Sequence, residues 1–395
     1  MKAKLIGIGA AGNKAAMMAI EKGVFTRDEV MLINTTHKDM KEEYADINVI
    51  IGSGMGGCGK ERARAKKITL ESLKEDKLNL DGIVNGTEDT VIIVSSSEGG
   101  TGCGASTIIA KYIREVLNVN VHLFVFTGFE DDARGLQNTV EYFQDIQDSF
   151  IVEAISNKKF LNGKTTKQEA EQLANEEFCK RMRAYLGLDL KDSHQNIDET
   201  DMYKINNTPG FMTIEVRDFD GIKKREDFDA LFEDMIYNTK SLDFTKSSKR
   251  IGIFLFATEK TQSIGFDLDA IKFHLGEPFE FYTHIQTTHT NESVAIIASG
   301  MKLPTNDVNK VYEEYQARTA NVDKAKDNFF DNVSSMHMNS EDAMFDLNDD
   351  KLANPTNDRK NDFFGKVEKE TKEVVIQVGN KNKKRSKEEF LNGQY

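Results

Sequence analysis

Cysteine is scarce. Cys58, Cys103 and Cys179 are the only three in 395 residues, an odd number at wide spacing with no CxxC pair. A disulfide framework or a zinc cage is therefore not expected, and a reducing compartment is the default. Long apolar runs are also lacking. No stretch reaches the roughly 18 apolar residues of a membrane span, and the opening Met1-Lys2-Ala3-Lys4-Leu5-Ile6-Gly7 breaks at once into glycines instead of continuing as a leader peptide. A cytoplasmic protein is expected, neither secreted nor membrane-spanning. The seven histidines show no metal-ligand spacing and receive no chemistry. Positive charge is outnumbered, with 52 basic against 65 acidic residues and a net charge of −13. That balance disfavours a body whose main task is gripping nucleic acid or an anionic membrane.

What is present is an alternation of short apolar runs with helical patterns over residues 2 to 160. Lys4 to Ile8, Val30 to Ile33, Ile47 to Ile51, Thr90 to Val94 and Val121 to Phe126 read as strands, with helical spacing from Asn13 to Lys22. Continuous apolar strands separated by helices indicate a parallel sheet covered on both faces. Residues 165 to 187 form one long helical pattern with no Pro or Gly before Gly187. Beyond the polar stretch Asp189 to Asn207, strand patterns at Phe211 to Val216, Arg250 to Phe256, Phe279 to Gln286 and Ser293 to Ser299 indicate a second, mixed sheet. Helical patterns fall at Arg225 to Asn238 and Asp267 to Leu275.

Three glycine clusters each follow a strand. Gly7-Ile8-Gly9-Ala10-Ala11-Gly12-Asn13 is a GxGxxG turn into a helix, where backbone can approach a phosphate. An NAD site fits it equally well, but the acidic residue expected about 20 residues on is replaced by Asn34-Thr35-Thr36. Gly52-Ser53-Gly54-Met55-Gly56-Gly57-Cys58-Gly59-Lys60 is a floppy loop unless something orders it. Gly99-Gly100-Thr101-Gly102-Cys103-Gly104 leads directly into a helix; its N–H groups form an anion nest, and the Thr101 hydroxyl adds a phosphate or metal-water contact. No Lys-Ser/Thr pair follows, so this is not a Walker A loop.

The third cluster resembles the GGTG[ST]G signature of the tubulin/FtsZ superfamily, with Cys103 at the usual Ser or Thr position. The resemblance implies a GTPase on a tubulin/FtsZ-like α/β fold: a Rossmann-like parallel-sheet GTPase domain, a long central helix and a second α+β domain with a mixed sheet. It implies that Gly9, Gly12 and Asn13 form the first nucleotide loop, and that Gly54, Gly56 and Gly57 sense the γ-phosphate. Gly99, Gly100, Thr101, Gly102, Cys103 and Gly104 then hold the phosphates. Glu130 and Arg134, in Phe129-Glu130-Asp131-Asp132-Ala133-Arg134, would contact ribose and guanine, and Asn157 and Asn175 would read the base. Asn196-Ile197-Asp198-Glu199-Thr200-Asp201 matches the family's NxDxxD loop, which makes Asn196, Asp198 and Asp201 the implied catalytic residues. Two carboxylates three residues apart at a helix start face one direction and can polarise a water beside a phosphate. In this family that loop serves the nucleotide of a neighbouring subunit, which implies head-to-tail filaments, with GTP/GDP and Mg²⁺ as cofactors.

The implied domains are 1–164 (GTP-binding), 165–187 (central helix), 188–304 (second domain with the acidic loop), 305–335 (helix) and 336–395 (polar, partly disordered tail). A long polar helix followed by a basic tail looks most like the TubZ branch, the partition GTPases of plasmids and phages. Residues 351–395 carry +4 and the remaining 350 residues −17, with the densest basic cluster from Lys381 to Lys387. Such a tail is ordinarily a solvated, disordered terminus. The resemblance implies that it docks on a DNA-bound adaptor protein, with direct nucleic-acid contact a further reading. An FtsZ-like division or phage-positioning filament, and an NAD-dependent dehydrogenase using the first loop only, are the alternatives.

Overall fold

The computed structural model describes residues 2–54, 56–82, 84, 88–146, 150–190, 197–243, 246–334 and 385–393. They fall into two units, 1–315 with 384–395, and 316–383. The second unit contributes the distal end of one helix; the sheet, the core and the glycine loops all lie in the first.

Six strands come first: β1 (Ala3–Ile8), β2 (Val30–Asn34), β3 (Asn48–Ile50), β4 (Thr90–Ser96), β5 (Asn120–Thr127) and β6 (Ile151–Ser156). Helices α1 (Gly9–Glu21), α2 (Arg62–Lys74), α3 (Thr101–Tyr112) and α4 (Ala133–Ile146) intervene, so these strands pair in parallel in the order β3-β2-β1-β4-β5-β6. The apolar content of β4 explains its place at the centre. Successive side chains point to opposite faces: Val91 and Ile93 enter the core that contains Leu73 of α2 and Ile109 of α3, while Ile92 and Val94 enter the core that contains Ala16 of α1.

The central helix α5 (Lys167–Leu186) begins at a capping box of Thr166 and Glu169 and ends where Gly187 turns left-handed at φ 66°. After it come α6 (Glu199–Asn206), β7 (Gly210–Phe219), α7 (Arg225–Tyr237), β8 (Arg250–Ala257), α8 (Glu259–Gln262), α9 (Leu268–Leu275), β9 (Glu280–Thr287), β10 (Glu292–Met301) and α10 (Thr305–Ser334). The mixed sheet is not a separate layer. β7 joins β6 through Ile151↔Gly210 and Val152↔Phe211, giving one ten-stranded sheet in which β10 alone runs against its neighbours.

That seam is short, and a buried ion cluster spans it. Arg181 of α5 is fully buried. It donates to Glu153 Oε1 of β6 at 2.8 Å, Glu215 Oε1 of β7 at 2.9 Å and Glu177 Oε1 at 2.8 Å. Ser241 Oγ accepts from the same guanidinium at 2.6 Å. Burial pushes the Glu153 carboxyl up to about 7 despite Arg181. Burial also pulls His122, whose Nε2 lies 3.8 Å from Glu153 Oε2, down to about 3. Strand β6 escapes the sequence reading because Glu153 interrupts its apolar run, and the partner that admits a carboxylate there comes from a helix 28 residues away.

Part of the tail is folded. Residues 335–384, including Lys381, Lys383 and Lys384 of the basic cluster, lie outside the described residues. Arg385 onward is folded as α11 (Lys387–Leu391), with a capping box of Ser386 and Glu389. Phe390 is fully buried, edge-on to Tyr112 at 5.4 Å. Arg385 pairs with Glu115 at 2.9 Å and Lys387 with Asp76 at 2.5 Å, so these two basic residues are committed within the chain. The apolar Phe-Leu pair in α11 supplies the burial that the charge pattern hid. A Phe→Ala change in a closed core costs about 3–5 kcal/mol, against about 0–1 kcal/mol for each solvent-facing ion pair. Phe390→Ala is therefore expected to undock the segment, read as lost amide-exchange protection over 385–393; retained protection would contradict this packing.

Candidate functional site

The carboxyl ends of the parallel strands carry the glycine clusters. The strand order reverses between β1 and β4, and in open α/β sheets ligands bind in the crevice at such a switch point. A cleft of about 280 Å³ lies there, floored by the turn after β1 and the turn after β4. Of the expected contacts, Gly9, Gly57, Gly99, Gly100, Thr101 and Gly102 line it. The loops touch: a Cβ on Gly9 would come within 2.9 Å of the Gly102 amide nitrogen, and Gly9 itself has φ 73°. Only glycine lets the first and third loops approach this closely.

Other expected contacts also serve the scaffold. A Cβ on Gly12 would meet Val94 O at 2.1 Å, so Gly12 seats α1 against β4. A Cβ on Gly104 would meet Arg62 O at 2.5 Å, so Gly104 seats α3 against α2. The Cys103 side chain is fully buried, with Sγ donating to Asn138 O at 3.4 Å, and burial pushes its thiol up to about 12. It is a small core residue behind the loop. Gly54, at φ 71°, turns tightly beside His37, and Gly56 leaves open space around its Cα.

Thr101 opens α3, and its Oγ1 shares a hydrogen bond of 2.8 Å with Thr35 Oγ1 just past the end of β2. Asn34, Thr36, Asp39, Cys58 and Ser96 also line the cleft. Cys58 sits within the second glycine cluster, but Asn34, Thr36, Asp39 and Ser96 escape sequence reading because none belongs to a glycine motif; the polar end of β2 is the one signal, and it served only to disfavour NAD.

Two buried amides await partners. Asn13 is almost wholly buried, and its Nδ2 donates to Ile33 O at 3.3 Å. Asn13 Oδ1 and Asn157 Oδ1 are buried acceptors with no protein partner. Unsatisfied buried acceptors are costly, and both belong to residues at the carboxyl edge of the sheet, so a ligand offering donors fits them. Asn157 begins the turn after β6. Asn175 is buried on α5, one turn beyond Glu171, which pairs with Lys14 of α1 at 3.2 Å. Glu130, at φ 61°, pairs with Lys158 next to Asn157 at 2.5 Å, and Arg134 is exposed on the first turn of α4. Among the described residues no group of three His, Cys, Asp or Glu could hold a metal. Asp39 is the carboxylate at the cleft, a donor set that suits Mg²⁺ arriving on phosphate oxygens, as this ion keeps few protein ligands.

The acidic loop lies elsewhere. Asn196 is outside the described residues. Asp198 is the N-cap of α6, accepting from the Asp201 backbone N–H at 2.8 Å, and Asp201 lies 3.6 Å from Lys204. The middle and the C-terminal end of α6 are tied to strand starts. Asn120, first in β5, donates to Tyr203 OH at 3.1 Å, and Thr90, first in β4, donates to Asn207 Oδ1 at 2.7 Å. The Asp201 charge acts on Tyr282, near the start of β9. The glycine turns follow Ser96 at the other end of β4, six residues on, or about 20 Å at 3.3 Å per residue. Asp198 and Asp201 do not reach the cleft of their own chain.

Residues 2–163 match the Tubulin/FtsZ family, GTPase domain. The chain is 33% identical over 164 residues to the cell division protein FtsZ of Mycoplasmopsis pulmonis, covering 40% of each. It is 28% identical over 232 residues to FtsZ 1 of Pyrococcus woesei, covering 56% of this chain and 60% of that one. The chain thus spans between 40% and 60% of the length of these curated relatives. Among solved structures it resembles CetZ2 from Haloferax volcanii, a GTPγS-bound protofilament, with TM-score 0.64, 17% identity and coverage of 82% and 100%. It resembles Clostridium botulinum phage c-st TubZ equally, with TM-score 0.64, 18% identity and coverage of 81% and 97%. Residues 2–163 are thus similar to the GTPase domain of the Tubulin/FtsZ family, and they are set in a ten-stranded α/β protein of tubulin/FtsZ-like fold.

Proposed function

We propose that this protein binds GTP in the cleft between the first and third glycine loops and polymerises head to tail. Each subunit's Asp198 and Asp201 then complete the site of the next subunit and promote GTP hydrolysis. One observation carries the reading: the phosphate cleft and the acidic helix α6 stand at opposite ends of the parallel strands, joined to β4 at Ser96 and Thr90 respectively. A surface with a donor patch at one end and its complement at the other makes a heterologous contact, and such contacts do not close.

In the cleft, the amides at the start of α3 and the loop at Gly57–Gly59 would cradle the phosphates, while Asn13 and Asn157 offer their free acceptors to base donors. Mg²⁺ bound with the nucleotide would neutralise phosphate charge, with Asp39 the carboxylate placed to meet its shell. The fold shared with TubZ, together with the basic residues Lys381, Lys383 and Lys384, supports segregation of plasmid or phage DNA through a DNA-bound adaptor. The FtsZ relatives support a division or positioning filament as the rival use of the same machinery.

The test is turnover against protein concentration. GTP hydrolysis is expected to rise steeply above a threshold concentration, with filaments visible by electron microscopy in GTP and absent in GDP. Turnover strictly proportional to protein, with no filaments, would sink the reading.

A further inference from the structure

Asn138 of α4 is 2% exposed, and no glycine motif contains it. Its carboxamide nitrogen donates to Lys60 O at 2.9 Å and to Glu98 O at 3.1 Å, with Gly99 O at 3.5 Å. Lys60 closes the second glycine loop, and Glu98 and Gly99 open the third. The neighbouring residue repeats the link, since Thr139 Oγ1 and Ser97 Oγ lie 2.8 Å apart. Lys60 is held a second time, its ammonium paired with Asp132 at the start of the same helix, and this contact holds the Asp132 carboxyl below its usual range. Glu98 extends the connection: its Oε1 accepts the Glu130 N–H at 2.8 Å, and the carboxylate fills the space under Gly128, where a Cβ would meet it at 2.1 Å. In contrast, Gly57, Gly59 and Gly99 leave open space around their Cα atoms. The cleft rims are free while their roots are fastened.

We propose that Asn138 is a positioning residue of the nucleotide site: one buried amide fastens the roots of the second and third glycine loops together and so presets the width of the phosphate cleft. This rests on the reading of the cleft as a GTP site. The chemistry selects an amide. All three acceptors are carbonyl oxygens, and a carboxamide nitrogen has two hydrogens to give, whereas a carboxylate of the same shape has none and repels them. Loops held in their bound shape lose less freedom on binding, and that preorganisation appears as affinity.

The test compares Asn138→Asp and Asn138→Ala with the wild-type full chain, at concentrations below assembly, using GTPγS as probe and reading Kd beside the melting temperature of nucleotide-free protein. Asn138→Asp is expected to weaken GTPγS at least about tenfold at pH 7.5, equivalent to about 1.4 kcal/mol. Asn138→Ala is expected to weaken it less, since it removes the donor without adding repulsion. Lowering the pH until the new carboxyl protonates restores one donor, so the Asp variant should regain affinity relative to wild type; a purely structural residue would not show that recovery. Should Asn138→Asp not fold, Asn138→Ser, which keeps one hydroxyl donor, takes its place with an intermediate loss expected. A folded variant whose Kd stays within twofold of wild type overturns the proposal while leaving the GTP reading intact. Wild-type protein that binds no GTPγS overturns the GTP reading, and the proposal with it.

Discussion

Asp201→Ala protein is expected to bind GTP and assemble as wild type does, yet to hydrolyse GTP at least about 100-fold more slowly, the scale of a positioned acid–base group. The substitution is clean because the helix start does not depend on it. Asp198 caps α6 by accepting the backbone N–H of residue 201, which survives in alanine. Asp198→Ala would also remove that cap at a cost of about 1 kcal/mol. Asp198→Asn keeps an acceptor there and removes only the charge, so it is the proper companion.

The arrangement also makes a prediction about mixtures. Gly99→Glu adds a carboxylate to the cleft at a position with open space around it, repelling phosphate without disturbing the fold. Mixed with Asp201→Ala subunits, which keep an intact cleft, these subunits supply the missing acidic helix, and turnover should partly return. Two inactive preparations that stay inactive when mixed would place Asp201 outside the neighbour's site.

Arg181→Met is expected to lower stability by about 3–5 kcal/mol, the usual consequence of stranding buried carboxylates without their cation. The effect should be large because Glu153 and Glu215, on either side of the seam, both point at that one guanidinium. Thermal or denaturant unfolding measures it; a loss under 1 kcal/mol would mean that the cluster does not hold the seam. Double substitution with Glu153→Gln should recover part of the loss.

Glu153 also sets a pH dependence whose sign follows from its environment. Its carboxyl is raised from 4.5 to about 7 by burial. The folded state therefore holds its proton more tightly than the unfolded chain. Its stabilising contribution is complete below about 4.5 and disappears as pH rises through about 7. Compared with wild type, Glu153→Gln alone should show a flatter stability profile across that window.

Much of the molecule was legible in its residues because the signals were local. Apolar runs between helices announced the parallel sheet, and β1, β2, β4 and β5 fall where those runs stand. The capping residues Thr166 and Glu169 and the left-handed Gly187 bound a helix that the pattern placed at 165–187. The glycine turns belong to the same class, since a strand, a glycine cluster and a helix in succession position a phosphate nest by backbone geometry alone. What stayed hidden depends on partners distant in sequence. Glu153 makes β6 look broken until Arg181 arrives from α5. Phe390 makes sense in a charged segment only beside Tyr112. Asn138 reads as an ordinary helix polar residue until Lys60 and Glu98 converge on it.

The glycines divide along the same line. Their number and spacing were evident, but Gly9 and Gly102 face the cleft while Gly12 and Gly104 let helices close on their neighbours. Nothing in a GxGxxG or GGTGxG string distinguishes the two uses, because the difference lies in what stands opposite each missing Cβ. By itself the sequence determined most of the elements, the loops and the pair of carboxylates, since each follows from residues within a turn or a strand of one another. Only the tertiary structure decided that the phosphate cleft and Asp201 stand a strand's length apart, because that separation is set by how β4 is threaded between Ser96 and Thr90, and chain contacts of long range fix it.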